Sequence, residues 1–399
     1  MKLILNYLRL LAAALVMLVP AQGNAQDEAP VWSVLTCSPG TASYSLYGHT
    51  ALRMRQTQTD IVFNYGVFDF KAPHFLWRFV LGHTDYIVIA VETDIFMEEY
   101  VRDGREVSEQ VLNLRPEESL RLMEYMLWKI RPENRTYRYN FLTDNCATRV
   151  LDAVKMAVNR PGTEVVERFT PGPLPTYRQL LHRYTQAYEW NREGNDLLLG
   201  AACDTLLTRR AAAFLPHEMS LYLDSLAVWT LREDLRPLVL SKSVLVPLRA
   251  AAPRALPFWQ RPRTLAWAFV ALALLSFVFE RRTGRRLWML DAAVMAVQGV
   301  AGLLVVFMLL ASEHPTVDSN YQALILNPLP LLCLPWVVKR ARQGRFCLYH
   351  PLNLIYLLVF LLLSAWIQQD FAEIIVPLAF GLAVREAGYV FNKEKITKK

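Results

Sequence analysis

Between residues 31 and 100 apolar and polar positions alternate. Ala51-Leu52-Arg53-Met54-Arg55 puts its side chains on opposite faces, polar Gln56 to Asp60 mark a turn, and Ile61-Val62-Phe63-Asn64-Tyr65-Gly66 returns. That pattern predicts a β-hairpin. Tyr86 to Val91 predicts another strand. The period then lengthens: Leu120, Met123, Leu127 and Ile130 recur at helical spacing and predict one apolar helix face. Pro116, Glu117 and Glu118 suit the first turn, and Pro132 stops the helix. Tyr137 to Phe141 reads as extended. Asp144 is the expected N-cap of a helix from Asn145 towards Val158. Pro161 to Pro175 reads as a loop over the surface or the site, and residues 177–240 as mainly helical with a break near Pro216.

Beyond residue 260 long apolar runs take over. The predicted membrane spans are Thr264–Phe279, Leu287–Ala311, Tyr321–Val338, Leu352–Trp366 and Phe371–Val384, the first and last short against the roughly 20 apolar residues a span needs. The organisation expected is a signal peptide (1–25), a catalytic domain (26–160), a helical extension of the exported part (161–263), a membrane domain of about five helices (264–391) and a basic tail (392–399).

Charge orients these pieces. Glu280 to Arg286 carries +3, Lys339 to Arg345 carries +4, and Arg385 to Lys399 carries +3, whereas Ser312 to Asn320 and Gln368 to Asp370 contain no Lys or Arg. The positive-inside rule places the basic segments in the cytoplasm and the others outside. Five spans then put the segment before Thr264 outside. Arg249, Arg254, Arg261 and Arg263 sit on that outer side against the trend, which export of a long domain can override. The N-terminus agrees with export, with Lys2 and Arg9, an apolar Leu10 to Leu18, and small Gly23-Asn24-Ala25 for cleavage. The net charge of +7 is thus explained by topology, and a nucleic-acid partner is not needed.

Of five cysteines, Cys37, Cys146 and Cys203 fall in the exported part, where disulfides form. Three is odd, so at least one stays unpaired within the chain. A Cys37–Cys203 bridge with a free Cys146 is one arrangement. Cys333 and Cys347, in or near the membrane, read as packing residues.

Cys146 lies in Asp144-Asn145-Cys146-Ala147-Thr148-Arg149 at a predicted helix start, where the macrodipole and free N–H groups lower a thiol pKa. His49, in Tyr47-Gly48-His49, precedes a strand and is the best base. Asn64, on the partner strand, could hold the imidazole. Tyr44, Asp144, Asn145 and Arg149 are supporting residues. Local pattern alone leaves this dyad weak, since buried cysteines are commonly inert. His49, His74 and His83 lack close zinc-ligand spacing; no G-x-S-x-G elbow and no Gly-rich phosphate loop is present. His182, His217 and His350 have no acidic or thiol companion in sequence and read as structural. The outer segment Ser312 to Asn320 reads either as a solvated connection or as a headgroup or amine site built from Glu313, His314 and Asn320.

Thr36-Cys37-Ser38-Pro39-Gly40, Tyr47-Gly48-His49, Phe63-Asn64-Tyr65-Gly66-Val67-Phe68-Asp69-Phe70, Tyr137 to Phe141, Asp144 to Arg149, Glu313-His314-Pro315, Asn320 and Asn327-Pro328 together resemble the Bacteroides-type lipoprotein N-acyltransferase family. The likeness spans nearly the whole chain. More distantly, His before Asn-Cys resembles the permuted papain-like group, which includes lecithin:retinol acyltransferase and NlpC-type peptidases. The resemblance implies an α+β papain-like exported domain on an all-α multi-pass membrane domain. It implies Cys146 as nucleophile, His49 as base and, less firmly, Asn64 as third residue. It also implies a phospholipid acyl donor, a diacylglyceryl-cysteine lipoprotein acceptor, an inner-membrane location and no cofactor. The rivals are an exported cell-wall amidase or peptidase, a phospholipid hydrolase, and a non-enzymatic lipoprotein-handling scaffold.

Overall fold

The computed structural model describes residues 29–391 except 70, 72, 169–171, 173 and 231–234. The expected signal peptide and the tail 392–399 lie outside the described residues. Seven strands form one antiparallel sheet in the order β10-β5-β1-β2-β3-β4-β6. They are β1 Val31–Cys37, β2 His49–Gln56, β3 Thr59–Val67, β4 Asp85–Glu92, β5 Val107–Leu112, β6 Thr136–Arg138 and β10 Val239–Val246. The β2–β3 hairpin pairs Leu52 with Phe63 and Gln56 with Thr59, as its alternation predicts. A small second sheet orders β7 Thr163–Glu167, β8 Leu226–Thr230 and β9 Leu235–Pro237.

Both faces of the large sheet are covered, which explains why β1 is buried along almost its whole length. On one face Trp32, Val34, Leu52, Phe63 and Val88 pack against Leu122 and Met126 of the Pro116–Lys129 helix and Val150, Leu151 and Val154 of the Cys146–Val158 helix. On the other, Leu35, Cys37, Ala51 and Val62 meet Phe96 and Tyr100 of the Thr93–Asp103 helix.

Three expectations need correction. Residues 163–167, read as loop, form β7. Residues 177–240 are helical only to Ser225; three strands follow, and Pro216 opens a helix at its first turn, where its missing N–H costs nothing. The last of those strands, β10, pairs with β5 and closes the edge of the main sheet. Finally, Cys37 and Cys203 are both free and sit in separate cores.

The C-terminal region is helical. Among the described residues four helical stretches are long and apolar enough to cross a membrane: Pro262–Thr283, Trp288–Ala311, Tyr321–Arg342 and Tyr349–Trp366. A further helix, Ile375–Phe391, packs into the same bundle through Ile375, Ala379 and Leu382. The third stretch is broken: a 3₁₀ turn at Tyr321–Leu324 gives way to α-helix only at Leu329. Irregular backbone at membrane depth must be satisfied by protein. Gln298 donates to the Ile325 carbonyl at 2.8 Å, and the Tyr356 hydroxyl donates to that of Leu324 at 2.6 Å. Gly302 makes room: a Cβ there would fall 2.3–2.4 Å from Asn327 backbone atoms. At the end of the bundle that carries the basic segments, Arg385 bonds Glu280 at 2.9 Å and Asp291 at 2.7 Å, and His350 bonds Glu386 at 2.5 Å.

Membrane loops clasp the N-terminal region. Gly200 N–H donates to Thr316 O, Ala201 N–H to Ser319 O and Asn320 Nδ2 to Leu197 O, all within 2.8–2.9 Å. Gln322 donates to Asp196 O. Glu373 N–H donates to Glu193 Oε1 at 3.0 Å. Beneath these, buried Arg178 bridges Asp196 at 2.8 Å and Asp204 at 2.6 Å.

Two stability predictions follow from this packing. Gly302→Ala forces backbone apart and should destabilise the bundle by about 1–3 kcal/mol, read as a lowered Tm of the full-length protein in detergent. Glu193 is buried beside Asp196 and Glu373, and burial chiefly raises its pKa to about 7. The folded protein therefore holds a proton that the unfolded chain has already released above its ordinary carboxylate range. Stability should fall as pH rises towards 7 and level off above it; Glu193→Gln should flatten that slope in Tm-against-pH measurements.

Candidate functional site

The Cys146 helix begins in a densely bonded turn. Asn140 N–H and Asp144 N–H each reach the other's carbonyl oxygen, and Asn140 Oδ1 accepts from the Leu142 and Thr143 amides. Asn145, not Asp144, is the N-cap: its Oδ1 accepts from Ala147 N at 2.9 Å and Thr148 N at 3.1 Å. Thr148 Oγ1 returns the bond to Asn145 N–H at 2.8 Å, completing a capping box. The Asn145 amide donates to Phe141 O at 2.7 Å and Phe214 O at 2.9 Å. Asn145 is thus spent on holding the turn. Asp144 instead pairs with Arg149, whose guanidinium lies 4.6 Å over the Tyr137 ring.

These bonds leave Cys146 as the first residue of the helix. His49 comes to it from β2. Cys37 and His49 are register partners at the ends of β1 and β2, and Gly48 makes the approach with φ of +79°, where a Cβ would stand 2.6 Å from the Cys37 carbonyl oxygen. Only glycine fits that position. On the neighbouring strand, Asn64 Oδ1 lies 2.7 Å from His49 Nε2. An Nε2–H tautomer donates to Asn64 and leaves Nδ1 for the thiol.

Each group favours the charged form of the other. Burial works against the Cys146 thiolate, but the charge and hydrogen bond of His49 and the Thr50 and Ala147 backbone N–H groups outweigh it, and the Cys146 pKa is lowered. Burial likewise opposes the imidazolium; Cys146 and Asn64 outweigh it, and the His49 pKa is raised. Cys37 behaves oppositely, its thiol pushed by burial to about 12. A half-buried thiol with a lowered pKa, a partnered imidazole and a helix N-terminus have the chemical make-up that a nucleophile and its base require.

The other expected site residues lie elsewhere. Tyr44 is exposed on a 3₁₀ turn. Glu313 reaches His83 at 3.2 Å and Arg138 at 3.8 Å. His314 Nε2 donates to Phe79 O at 2.6 Å. Both therefore grip the end of the Phe75–Leu81 helix. Asn320 is buried, and its Oδ1 accepts from Gln322 N–H and Gln369 Nε2. The segment is therefore bonded to the N-terminal region and is not a freely solvated connection. Two histidines expected to lack acidic companions have them: His182 meets Asp196 at 2.8 Å and His350 meets Glu386. No group of metal-ligating side chains occurs among the described residues.

Sequence reasoning missed Tyr139, which packs in the same core as Cys146 and stacks on Tyr86 at 4.1 Å. It also missed the Thr50 amide. Neither leaves a sequence signal, because each acts through backbone or stacking.

Residues 22–183 match the family model of the Lnb N-terminal periplasmic domain, and residues 255–396 that of the Lnb transmembrane domain. The chain belongs to the Lnb family. It is accordingly a membrane protein with a periplasmic domain, and Cys146, His49 and Asn64 all fall within the matched periplasmic part of this Lnb protein. No curated protein and no solved structure matches it.

The thiol chemistry makes a pH prediction. Because the Cys146 pKa is lowered and its thiolate is the reactive form, iodoacetamide alkylation of Cys146 should reach half-maximal rate below the ordinary thiol pKa of about 8.5. His49→Ala removes the opposing charge and should move that midpoint upward. A midpoint that ignores the substitution would show that the two groups are not coupled.

Proposed function

We propose that this protein moves an acyl chain from a membrane phospholipid, through a thioester on Cys146, to the α-amine of a diacylglyceryl-cysteine lipoprotein. The observation that carries this reading is the Cys146–His49–Asn64 arrangement on a domain hydrogen-bonded to a membrane bundle. A soluble hydrolase would need no such bundle.

The reaction closes chemically. His49 Nδ1 takes the Cys146 proton, and the thiolate attacks the phospholipid ester carbonyl. The Cys146 N–H, at the first helical position where no intrahelical acceptor exists, donates to the oxyanion. Collapse breaks the ester C–O bond, and His49 returns its proton to the departing lysophospholipid alkoxide. In the second half the lipoprotein amine attacks the thioester carbonyl, forming the amide. His49 takes the amine proton, and the thiolate leaves. Asn64 positions the imidazole throughout. No metal or organic cofactor is required by these steps.

Several finer assignments belong to the same reading. The catalytic unit is a permuted papain-like domain in which His49 and Asn64 precede Cys146. Residues 26–160 make up the catalytic domain, residues 161–263 its extension, whose β10 adds a strand to the main sheet, and the membrane domain occupies residues 264–391. All five C-terminal helices span, which puts the catalytic unit on the outer side of the inner membrane.

The test is mass spectrometry of lipoprotein N-termini in cells lacking the protein and complemented with variants. Native protein should restore N-acylation and Cys146→Ser should not. His49→Ala should slow transfer by about 10²–10⁴-fold, the usual worth of a general base, and Asn64→Ala by less. Unchanged N-acylation in the deletion strain, in the absence of a second enzyme, would sink acyl transfer in favour of cell-wall hydrolysis. Release of free fatty acid in place of amide would assign a phospholipid hydrolase.

A further inference from the structure

The Phe75–Leu81 helix has no buried residue. Leu76 is 74% exposed, Trp77 56% and Phe79 42%. A helix of seven mostly apolar residues left uncovered on a folded domain is costly in water. It faces the Trp288–Ala311 span. His74, Phe75, Leu76, Trp77 and Val80 on one side and Leu303, Leu304 and Phe307 on the other line an open groove of about 810 Å³, within the range of ligand sites, roughly 300–1,000 Å³. Trp77 and Phe307 meet across it with centroids 5.2 Å apart.

Its depth identifies the surroundings. The span ends at Ala311, and Ser312 at the start of the outer connection donates to Val80 O at 2.8 Å. Leu303 lies eight residues inward, about 12 Å at 1.5 Å per residue. The groove therefore opens among acyl chains. At the C-terminal end of the Phe75 helix, Arg78, His83 and Arg138 stand among Asp85 and Glu313. Charged groups above an apolar groove match the layout of a phospholipid, headgroup over chain.

A row of stacked rings runs from the groove towards the thiol. Phe75 stacks on Phe68 at 5.7 Å, Phe68 on Tyr86 at 4.6 Å and Tyr86 on Tyr139 at 4.1 Å, and Tyr139 packs in one core with Cys146. We propose that this groove binds an acyl chain of the donor phospholipid and delivers its ester along the aromatic row to Cys146. The delivery step rests on the acyl-transfer reading above; the binding does not.

The experiment uses the full-length protein in lipid nanodiscs containing a diacyl glycerophospholipid with a photoactivatable diazirine midway along one chain. Adducts are mapped by mass spectrometry on native, Cys146→Ser and Leu304→Trp proteins. Adducts should concentrate on the Phe75 helix and on residues 303–307 in both native and Cys146→Ser proteins. Leu304→Trp, which fills the groove, should reduce them and slow thioester formation roughly tenfold, equivalent to about 1.4 kcal/mol, while the alkylation rate of Cys146 stays unchanged as a check on folding. Adducts spread equally over outward-facing Leu352 and Ile355 would mean only annular lipid and would overturn the proposal. A Cys146 thioester without groove adducts would overturn it and leave acyl transfer standing. Groove adducts without any thioester would leave the lipid site standing and remove acyl transfer.

Discussion

The first turn of an α-helix has amide donors with no partner inside the helix, and the site depends on how this chain disposes of them. Asn145 consumes those of Ala147 and Thr148, and its own amide group ties the turn to Phe141 and Phe214. What remains is a cysteine fixed at the positive end of a helix whose far side is the core of the sheet. Loosening the cap would move the nucleophile, the N–H groups facing it and the packing behind it together.

Much of this was legible in the sequence. The β2–β3 hairpin and the Pro116 helix are local structures, so alternation and helical spacing report them. His49 and Asn64 could be paired because the hairpin brings neighbouring strands together by a short turn. The cap was misread because Asp144 and Asn145 are both good capping residues, and only the Arg149 pairing separates them. β10 was invisible for another reason. It pairs at the sheet edge and seven of its eight residues are exposed or half-exposed, so no burial pattern marks it. The clasp was hidden by distance: Gln322 and Asp196, or Glu373 and Glu193, meet through folding of segments more than a hundred residues apart.

The clasp and the aromatic row tie the membrane to the thiol by different means. Hydrogen bonds from the membrane-side loops to residues 193–201 fix where the large sheet stands over the bundle. The stacked rings of Phe75, Phe68, Tyr86 and Tyr139 run from the membrane side of the domain towards the core that holds Cys146.

A thiolate facing the periplasm is also exposed to oxidants. Cys37, the register partner of His49, is the thiol the fold places nearest in this sense, yet burial pushes its pKa well up and keeps it protonated at neutral pH. Attack on an oxidised sulfur requires a thiolate. A mixed disulfide or sulfenic acid on Cys146 would therefore not be cleared by Cys37, and restoring the nucleophile falls to reductants outside the chain.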